Sequence, residues 1–371
     1  MTTKQKLQNE IEFLSPPGDT ISEILDSLNM SQVELADRIG KTPSKVNDII
    51  SGKEPITTNT AFKLELVLAM PAHFWLNREM LYREKLYRIQ QEATMLENIQ
   101  WVKQHPIKEL IRYGYLKNGN KDAKMIKELL QFYSVASPQQ WQNIYVKEFA
   151  LTDFRKSSSY KTSTASIATW LRLGEIGFRK LDLPKYNKND FKFALEKIRV
   201  LVKESPADFA LKLKEIAAGA GVAVVYTPNL PKAPISGASR WIGSNPLIQL
   251  TDRYKSNDKF WFTFFHEAGH ILLHGKKYIN LEEINTSKFN IEKEQQANLF
   301  AEKWLLPANF TKDLPKKITE NAIKDIAIKY KTHPAIVISR LQNLKIIAHS
   351  FGNGFKERIS LVNMITNPAL H

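Results

Sequence analysis

The chain has 371 residues, a net charge of +15, 43% hydrophobic residues and no cysteine. Such a length fits two or three domains with ordinary cores. Disulfides and thiolate metal sites are excluded, so any metal must be held by His, Asp or Glu, and the positive balance favours an anionic partner such as nucleic acid. With no apolar signal core and no apolar run near about 18 residues, the expectation is a cytoplasmic, nucleoid-associated protein without a membrane partner. The pattern predicts a mainly α chain: an N-terminal helix-turn-helix bundle over 1–90, a helical connector over 91–205, and a small α+β domain over 206–371.

In the N-terminal unit, Pro17 and Gly18 break the chain, and Asp19 or Thr20 can cap a helix with Ile21, Ile24, Leu25 and Leu28 on one face. Ser31 and Glu34 have capping-box spacing ahead of an apolar face of Val33, Leu35, Ala36 and Ile39. Gly40 ends that helix. Thr42 caps the next, Pro43 takes its first position, and Val46, Ile49 and Ile50 point inward. Two short helices joined through a glycine, with small Ala36 at their crossing, predict a helix-turn-helix. Thr42 to Lys53 is then the recognition helix. Thr42, Ser44, Lys45, Asn47 and Asp48 lie on its DNA-facing side, where Asn and Lys read adenine and guanine edges. Gln32, Lys41 and Lys53 sit where phosphates would pass. The competing reading is a helical bundle with a merely polar face.

Ser31-Gln32, Glu34-Leu35-Ala36, Gly40, Ile49 and Ser51-Gly52-Lys53 resemble the XRE-type helix-turn-helix. The continuation Pro55-Ile56-Thr57, Thr60-Ala61, Leu64, Pro71 and Phe74-Trp75-Leu76-Asn77 is similar to HigA-type antitoxins, over about Gly18 to Tyr82. That resemblance implies a homodimer on a palindromic double-stranded DNA operator, and a cognate toxin as a partner to consider. Asp48 departs from the pattern, since such helices often carry a basic or neutral group there. An acid repels phosphate but can accept from cytosine.

The middle is lysine-rich with helical spacing at Ile107–Arg112, Met125–Leu130, Ala165–Leu173 and Phe191–Leu201. Arg155 to Thr164 reads as a polar loop. No catalytic motif stands out here. The region reads as a connector, with a sensor or partner-binding role as the alternative.

Further on, Ala207 to Ala218 predicts a helix, Val222 to Tyr226 a strand, and Ser236–Ile242 and Pro246–Leu250 two more strands. Ser236–Ser239 or Ile248–Leu250 are candidate edges for binding a peptide by strand addition. A long helix begins at Asn257 or Asp258 and carries His266-Glu267-x-x-His270. Residues four apart share a helix face, about 6 Å apart. Two imidazoles there can grip one zinc ion (Zn2+), with Glu267 as general base. A helix before Pro307 turns Ala297, Phe300, Ala301, Trp304 and Leu305 inward, and Glu294 lies one turn before Ala297. Glu294 would complete a His₂Glu set that leaves a fourth position for water. Asn298, one turn on, can hold a ligand histidine's other nitrogen. Glu292 and Glu302 read as solvated charges. His274 lies roughly 12 Å along the axis from His266, too far to share its metal. Arg240 and Tyr226 are candidates to stabilise an oxyanion, and the sequence does not choose between them. Helical patterns within Ile318–Ile347 mimic a second helix-turn-helix, but packing beneath this domain is the favoured reading.

Phe260-Trp261-Phe262, Phe264 to His266-Glu267, Gly269 to His274, Glu294, Ala297-Asn298, Phe300-Ala301 and Leu306-Pro307 resemble the ImmA/IrrE metallopeptidases, over about 207–345. The resemblance implies a protein substrate, a helix-turn-helix repressor in known members. The expected function is a DNA-binding transcriptional regulator with a zinc-dependent peptidase that cuts a regulatory protein, or itself, in a toxin–antitoxin, mobile-element or stress setting. Two alternatives stand beside it. One is a HigA-like antitoxin or repressor whose C-terminal domain senses a ligand or holds a toxin without catalysis. The other is a peptidase whose helix-turn-helix docks protein.

Overall fold

The structure, a computed structural model of the chain, describes residues 3–117, 122–146, 163–251, 253, 255–276, 280–281 and 288–361. The polar loop expected from Arg155 lies outside the described residues up to 162, as does His371. The chain divides into two compact units, residues 1–100 with 121–127, and 101–120 with 128–371.

The first unit is helical throughout. Its helices are α1 (Thr3–Glu12), α2 (Pro17–Ser27), α3 (Gln32–Ile39), α4 (Pro43–Ile50), α5 (Thr58–Leu68) and α6 (Ala72–Glu97). Helix α2 starts on Pro17, and its cap position falls on Pro16, which offers no side-chain hydrogen bond, rather than on the expected Asp19 or Thr20. Ser31 accepts from the Glu34 amide, and Gly40 takes the left-handed conformation that only glycine adopts without strain. The capping box is half made, because the Glu34 carboxylate turns to Arg38 at 2.7 Å. Thr42 caps α4 through the Lys45 amide, with Pro43 at its first position. Ile21, Leu25, Leu35, Ala36, Ile39, Val46 and Ile49 share one core with Leu64 and Trp75. Val33, expected inward, is 56% exposed, and Leu28 also faces out. Each sits at the rim of its apolar stripe, where the eight-residue α3 and the end of α2 run out of neighbours to cover them.

In the second unit, α7 (Ile107–Arg112) and the latter part of α8 (Ala123–Tyr133) precede α9 (Thr164–Phe178), α10 (Lys188–Glu204) and α11 (Phe209–Gly219). Strands β1 (Ala223–Tyr226), β2 (Gly237–Ile242) and β3 (Asn245–Leu250) follow, then α12 (Asn257–His274) and the two-residue β4 (Asn280–Leu281). Helices α13 (Lys288–Leu305), α14 (Glu320–Lys329) and α15 (Pro334–Asn343) complete it.

The sheet order is β1-β3-β2-β4, with β1 parallel to β3 and both β2 pairs antiparallel. Strand β3 is therefore internal, and its Ile248–Leu250 segment has no edge to offer a peptide. Strand β2 pairs with β4 at Ala238 and Ser239, which occupies part of the other expected edge. Side chains alternate across the sheet. Ala223, Val225 and Leu247 pack with Phe178 on one face, where α9 lies. Val224, Tyr226, Ile248 and Leu250 face α11 and α12 in the main core.

Helices α9 and α10 fall in the stretch expected as a connector, yet they are built into this unit. Gln249 donates to the Trp170 carbonyl, and Phe191, Leu195 and Ile198 lie in the main core. Ile323, Ile326, Val337 and Leu341 of α14 and α15 join the same core, as expected for a pair packed beneath the domain rather than a second reader.

Candidate metal centre

Helix α12 is apolar on nearly every side, and Phe260, Trp261, Phe264, Phe265, Ala268 and Ile271 are all buried. Each buried phenylalanine or isoleucine among them contributes roughly 1.5–3 kcal/mol. That apolar gain carries into the core the polar residues His266 at 2%, Glu267 at 0% and His270 at 3% exposure. Buried polar groups need partners, and the outer nitrogens of the two histidines find theirs in Asn298 and His274.

Helices α12 and α13 run past each other in opposite senses, with Phe265 on Trp304, His266 on Asn298 and His270 on Glu294. Gly269 fits their close approach, since a Cβ there would stand 3.1 Å from the Phe300 ring and require that ring to shift slightly. At this crossing the Nε2 atoms of His266 and His270 are 3.0 Å apart. The Glu294 carboxylate lies 3.2 Å from His266 Nε2 and 3.4 Å from His270 Nε2. Among the described residues, this trio is the group of His, Asp and Glu whose donor atoms converge as a metal site would require.

The ring orientations follow from the outer partners. His266 Nδ1 lies 2.9 Å from Asn298 Oδ1, an acceptor, so Nδ1 carries the proton and the Nε2 lone pair faces Glu294. His270 Nδ1 is 3.0 Å from His274 Nδ1, and His274 Nε2 is 2.9 Å from Gln296 Oε1. Proceeding from Gln296, His274 donates through Nε2 and accepts through Nδ1, so His270 donates through Nδ1 and turns its Nε2 lone pair inward. These tautomers are assigned from the hydrogen-bond pattern. Burial first, then the neighbouring His266, His274 and Lys293, pushes His270 down to about 2, so it stays neutral. His274 is also lowered, chiefly by burial. Phe262 stacks on the His266 ring at 6.3 Å between centroids.

Glu267 lies on the side of α12 that faces β2. A Cβ on Gly237 would come within 3.2 Å of the Glu267 Cγ and 2.5 Å of Thr263, so only glycine lets the strand pass this close. Neither oxyanion candidate reaches this place. Arg240 shares the opposite sheet face with Leu247 and bonds the Leu171 carbonyl. Tyr226 donates its hydroxyl to the Ala210 carbonyl at 2.8 Å within the core. Glu292 is exposed as expected, whereas Glu302 pairs with Arg340 rather than lying free in solvent. The partnership of His274 with His270 was not foreseen. Its spacing of four residues was the available signal.

In the first unit, Gln32, Thr42, Ser44, Lys45, Asn47 and Lys53 are exposed, and Lys41 and Asp48 are half-buried. Lys45 lies 3.5 Å from Glu54. Ser44, Lys45 and Asn47 line the outer side of α4, opposite the buried Val46 and Ile49.

Residues 21–75 match the family model described as helix-turn-helix, and residues 217–340 match that of the IrrE N-terminal-like domain, an M78 peptidase family. An uncharacterized HTH-type transcriptional regulator of Escherichia coli (strain K12), YddM, is 39% identical over 61 residues, 16% of this chain and 65% of that protein. The chain thus spans just under two thirds of that relative's length. It carries, in one chain, a segment similar to XRE-type helix-turn-helix domains and a segment similar to the IrrE/ImmA-like domain of the M78 peptidases. No helix among the described residues is long and apolar enough to cross a membrane.

Proposed function

We propose that the protein is a DNA-binding regulator whose second unit is a zinc-dependent endopeptidase acting on a regulatory protein. The observation that carries this reading is the buried convergence of two imidazole Nε2 atoms and one carboxylate within 3.4 Å, with Glu267 on the same helix. Two neutral imidazoles and a carboxylate, with outer hydrogen bonds on the rings, suit zinc. His266, His270 and Glu294 would hold it, and Asn298 and His274 would fix the rings. Zinc bound there would supply Lewis acidity and would lower the pKa of water toward about 7.

The chain's own residues then have distinct roles. Glu267 accepts a proton from the attacking water and returns it to the leaving amine, so it works as base and then as acid. Its burial excludes bulk water from that exchange. Phe262 shields one face of His266. His274 is a positioning residue that acts through His270. Replacing His274 with Ala is expected to weaken zinc binding about 10–100-fold, as loss of an outer partner typically does. Competition with a calibrated chelator measures this, and His274→Gln, which retains an acceptor near His270 Nδ1, should recover part of the loss. Equal zinc affinity in both variants and the parent would remove His274 from the account.

For DNA, α4 is proposed as the recognition helix, with Asn47 and Lys45 reading bases and Gln32, Lys41 and Lys53 on phosphates. Asn47→Ala is expected to cost about 1–3 kcal/mol in specific operator binding, and Lys41→Ala to lower the salt slope by about one. Anisotropy titrations over a salt series, on duplexes selected from random sequence by the full chain, check both. Binding that ignores salt would favour a protein-docking role for this unit instead. Dimerisation on a palindrome belongs to the same proposal, supported by the likeness of residues 18–82, whereas a HigA-like antitoxin role with a toxin partner is the second, non-catalytic reading.

A further inference from the structure

Beside the metal centre, toward the start of α12 and the end of α13, lies a cavity of about 430 Å³ whose other side is lined by α15. Phe262 and Thr263 on its wall lie one turn before His266 and Glu267. Glu302 lies two turns beyond Glu294 on the same face of α13. Because the two helices run antiparallel, these displacements lead to the same place. Phe262 also stacks on His266, so one ring forms both a wall of the cavity and a side of the metal centre.

The cavity's chemistry is specific. Leu305, Leu306 and Ile336 are buried and give it an apolar floor. Four of the charges around that floor are matched among themselves, and Lys259, a further cation of the lining, is also engaged. Arg340 pairs with Glu302, and Asp258 is bonded by Ser339 with Lys356 at 3.4 Å. A charged occupant would meet no unmatched partner in these pairs and would be desolvated against leucine and isoleucine, which is costly. An uncharged, branched or aromatic side chain would gain apolar contact at no electrostatic loss.

We infer that this cavity is the specificity pocket of the peptidase and takes a large apolar side chain, such as Leu, Met or Phe, from a residue flanking the scissile bond. The inference rests on the metallopeptidase reading, since only a peptide held at the metal centre would place a side chain one helical turn away. A substrate is then selected by an exposed apolar residue in an extended segment, rather than by the charge that distinguishes this basic chain.

Binding of chelating probes separates the pocket from catalysis. Two series of small hydroxamates carry a methyl, isobutyl or benzyl group on either side of the chelating group, and calorimetry on the zinc-loaded full chain gives their affinities. In one series, the isobutyl and benzyl compounds should bind at least about tenfold more tightly than the methyl compound. Ile336→Trp fills the floor and should compress that difference to within about threefold while leaving the methyl compound unchanged. Asn343→Trp blocks the exposed rim on α15 and should do the same, which guards against a folding defect from the core change. Uniform affinity across side chains in both series would overturn the pocket and leave the metal centre standing. So would discrimination that survives both tryptophan variants. If no hydroxamate binds, the metal reading fails and the pocket falls with it.

Discussion

Replacing Glu267 with Gln is expected to lower peptide cleavage by roughly 10²–10⁴-fold while leaving zinc content and operator affinity unchanged. The amide keeps the size and most of the shape of the carboxylate, so the closely fitted strand at Gly237 and the fully buried surroundings need not rearrange. What is lost is the proton acceptor. Zinc stays because its proposed donors are His266, His270 and Glu294, and Glu267 is not among them. Operator affinity stays because the proposed recognition helix lies in the other unit. Turnover of a peptide the parent chain cleaves, set beside metal stoichiometry and a duplex titration on the same preparation, measures all three. Unchanged turnover would remove Glu267 as the base. Lost zinc would reassign it as a ligand. If regulation in cells is also indifferent to this variant, the non-catalytic sensor or antitoxin reading gains what the peptidase loses.

A comparable effect on the metal itself is expected from Glu294→Ala. The two histidines remain oriented by Asn298 and His274, yet two imidazoles alone leave the ion short of its third protein donor. Zinc affinity should therefore fall by well over the about 10–100-fold that loss of an outer partner costs. Thermal unfolding gives a second readout, because a ligand that binds only the folded state raises the midpoint with concentration. Added zinc should raise the midpoint of the second unit in the parent chain and barely move it in Glu294→Ala. The apo proteins should melt close together, since Glu294 is half-buried and contributes no apolar core. An equal zinc shift in both proteins would place the metal elsewhere.

Most of this centre could be read before any coordinates. The reason is that its parts are local. His266, Glu267 and His270 belong to one helix, and the helical period dictates which side chains share a face. Glu294 was accessible through the inward spacing of Ala297, Ala301 and Leu305, which fixes a face of α13 even though the partner helix is unknown. The helix-turn-helix was legible for the same reason, with a cap at Ser31, a left-handed Gly40 and a second cap at Thr42.

The misreadings concern long-range arrangement. Whether β3 is an edge depends on which strands join it, and nothing within Pro246–Leu250 records that it sits between β1 and β2. Arg240 was a sensible oxyanion candidate by chemistry. Its position in the register of β2 sends it to the α9 face, while Gly237 faces Glu267. Tyr226 points to the right face but is tied to Ala210. The helices at 164–204 read as a connector because amphipathic spacing shows that a face is buried without saying what buries it. The packing roles of Gly237 and Gly269 were not legible in the sequence. Their importance lies in what a Cβ would strike, which is a property of the neighbouring element.

The central claim is that this chain hydrolyses a peptide bond at a zinc ion held by His266, His270 and Glu294. The most direct test incubates the zinc-loaded full chain with the proteins encoded beside it, in water enriched in heavy oxygen, and reads the products by mass spectrometry. The account predicts new termini whose carboxylates carry one heavy oxygen, formed by the parent chain and absent when zinc is chelated or Glu267 is Gln. New termini that persist under chelation and in the Gln variant would contradict it, as would a folded, zinc-replete chain that yields none from any protein it meets.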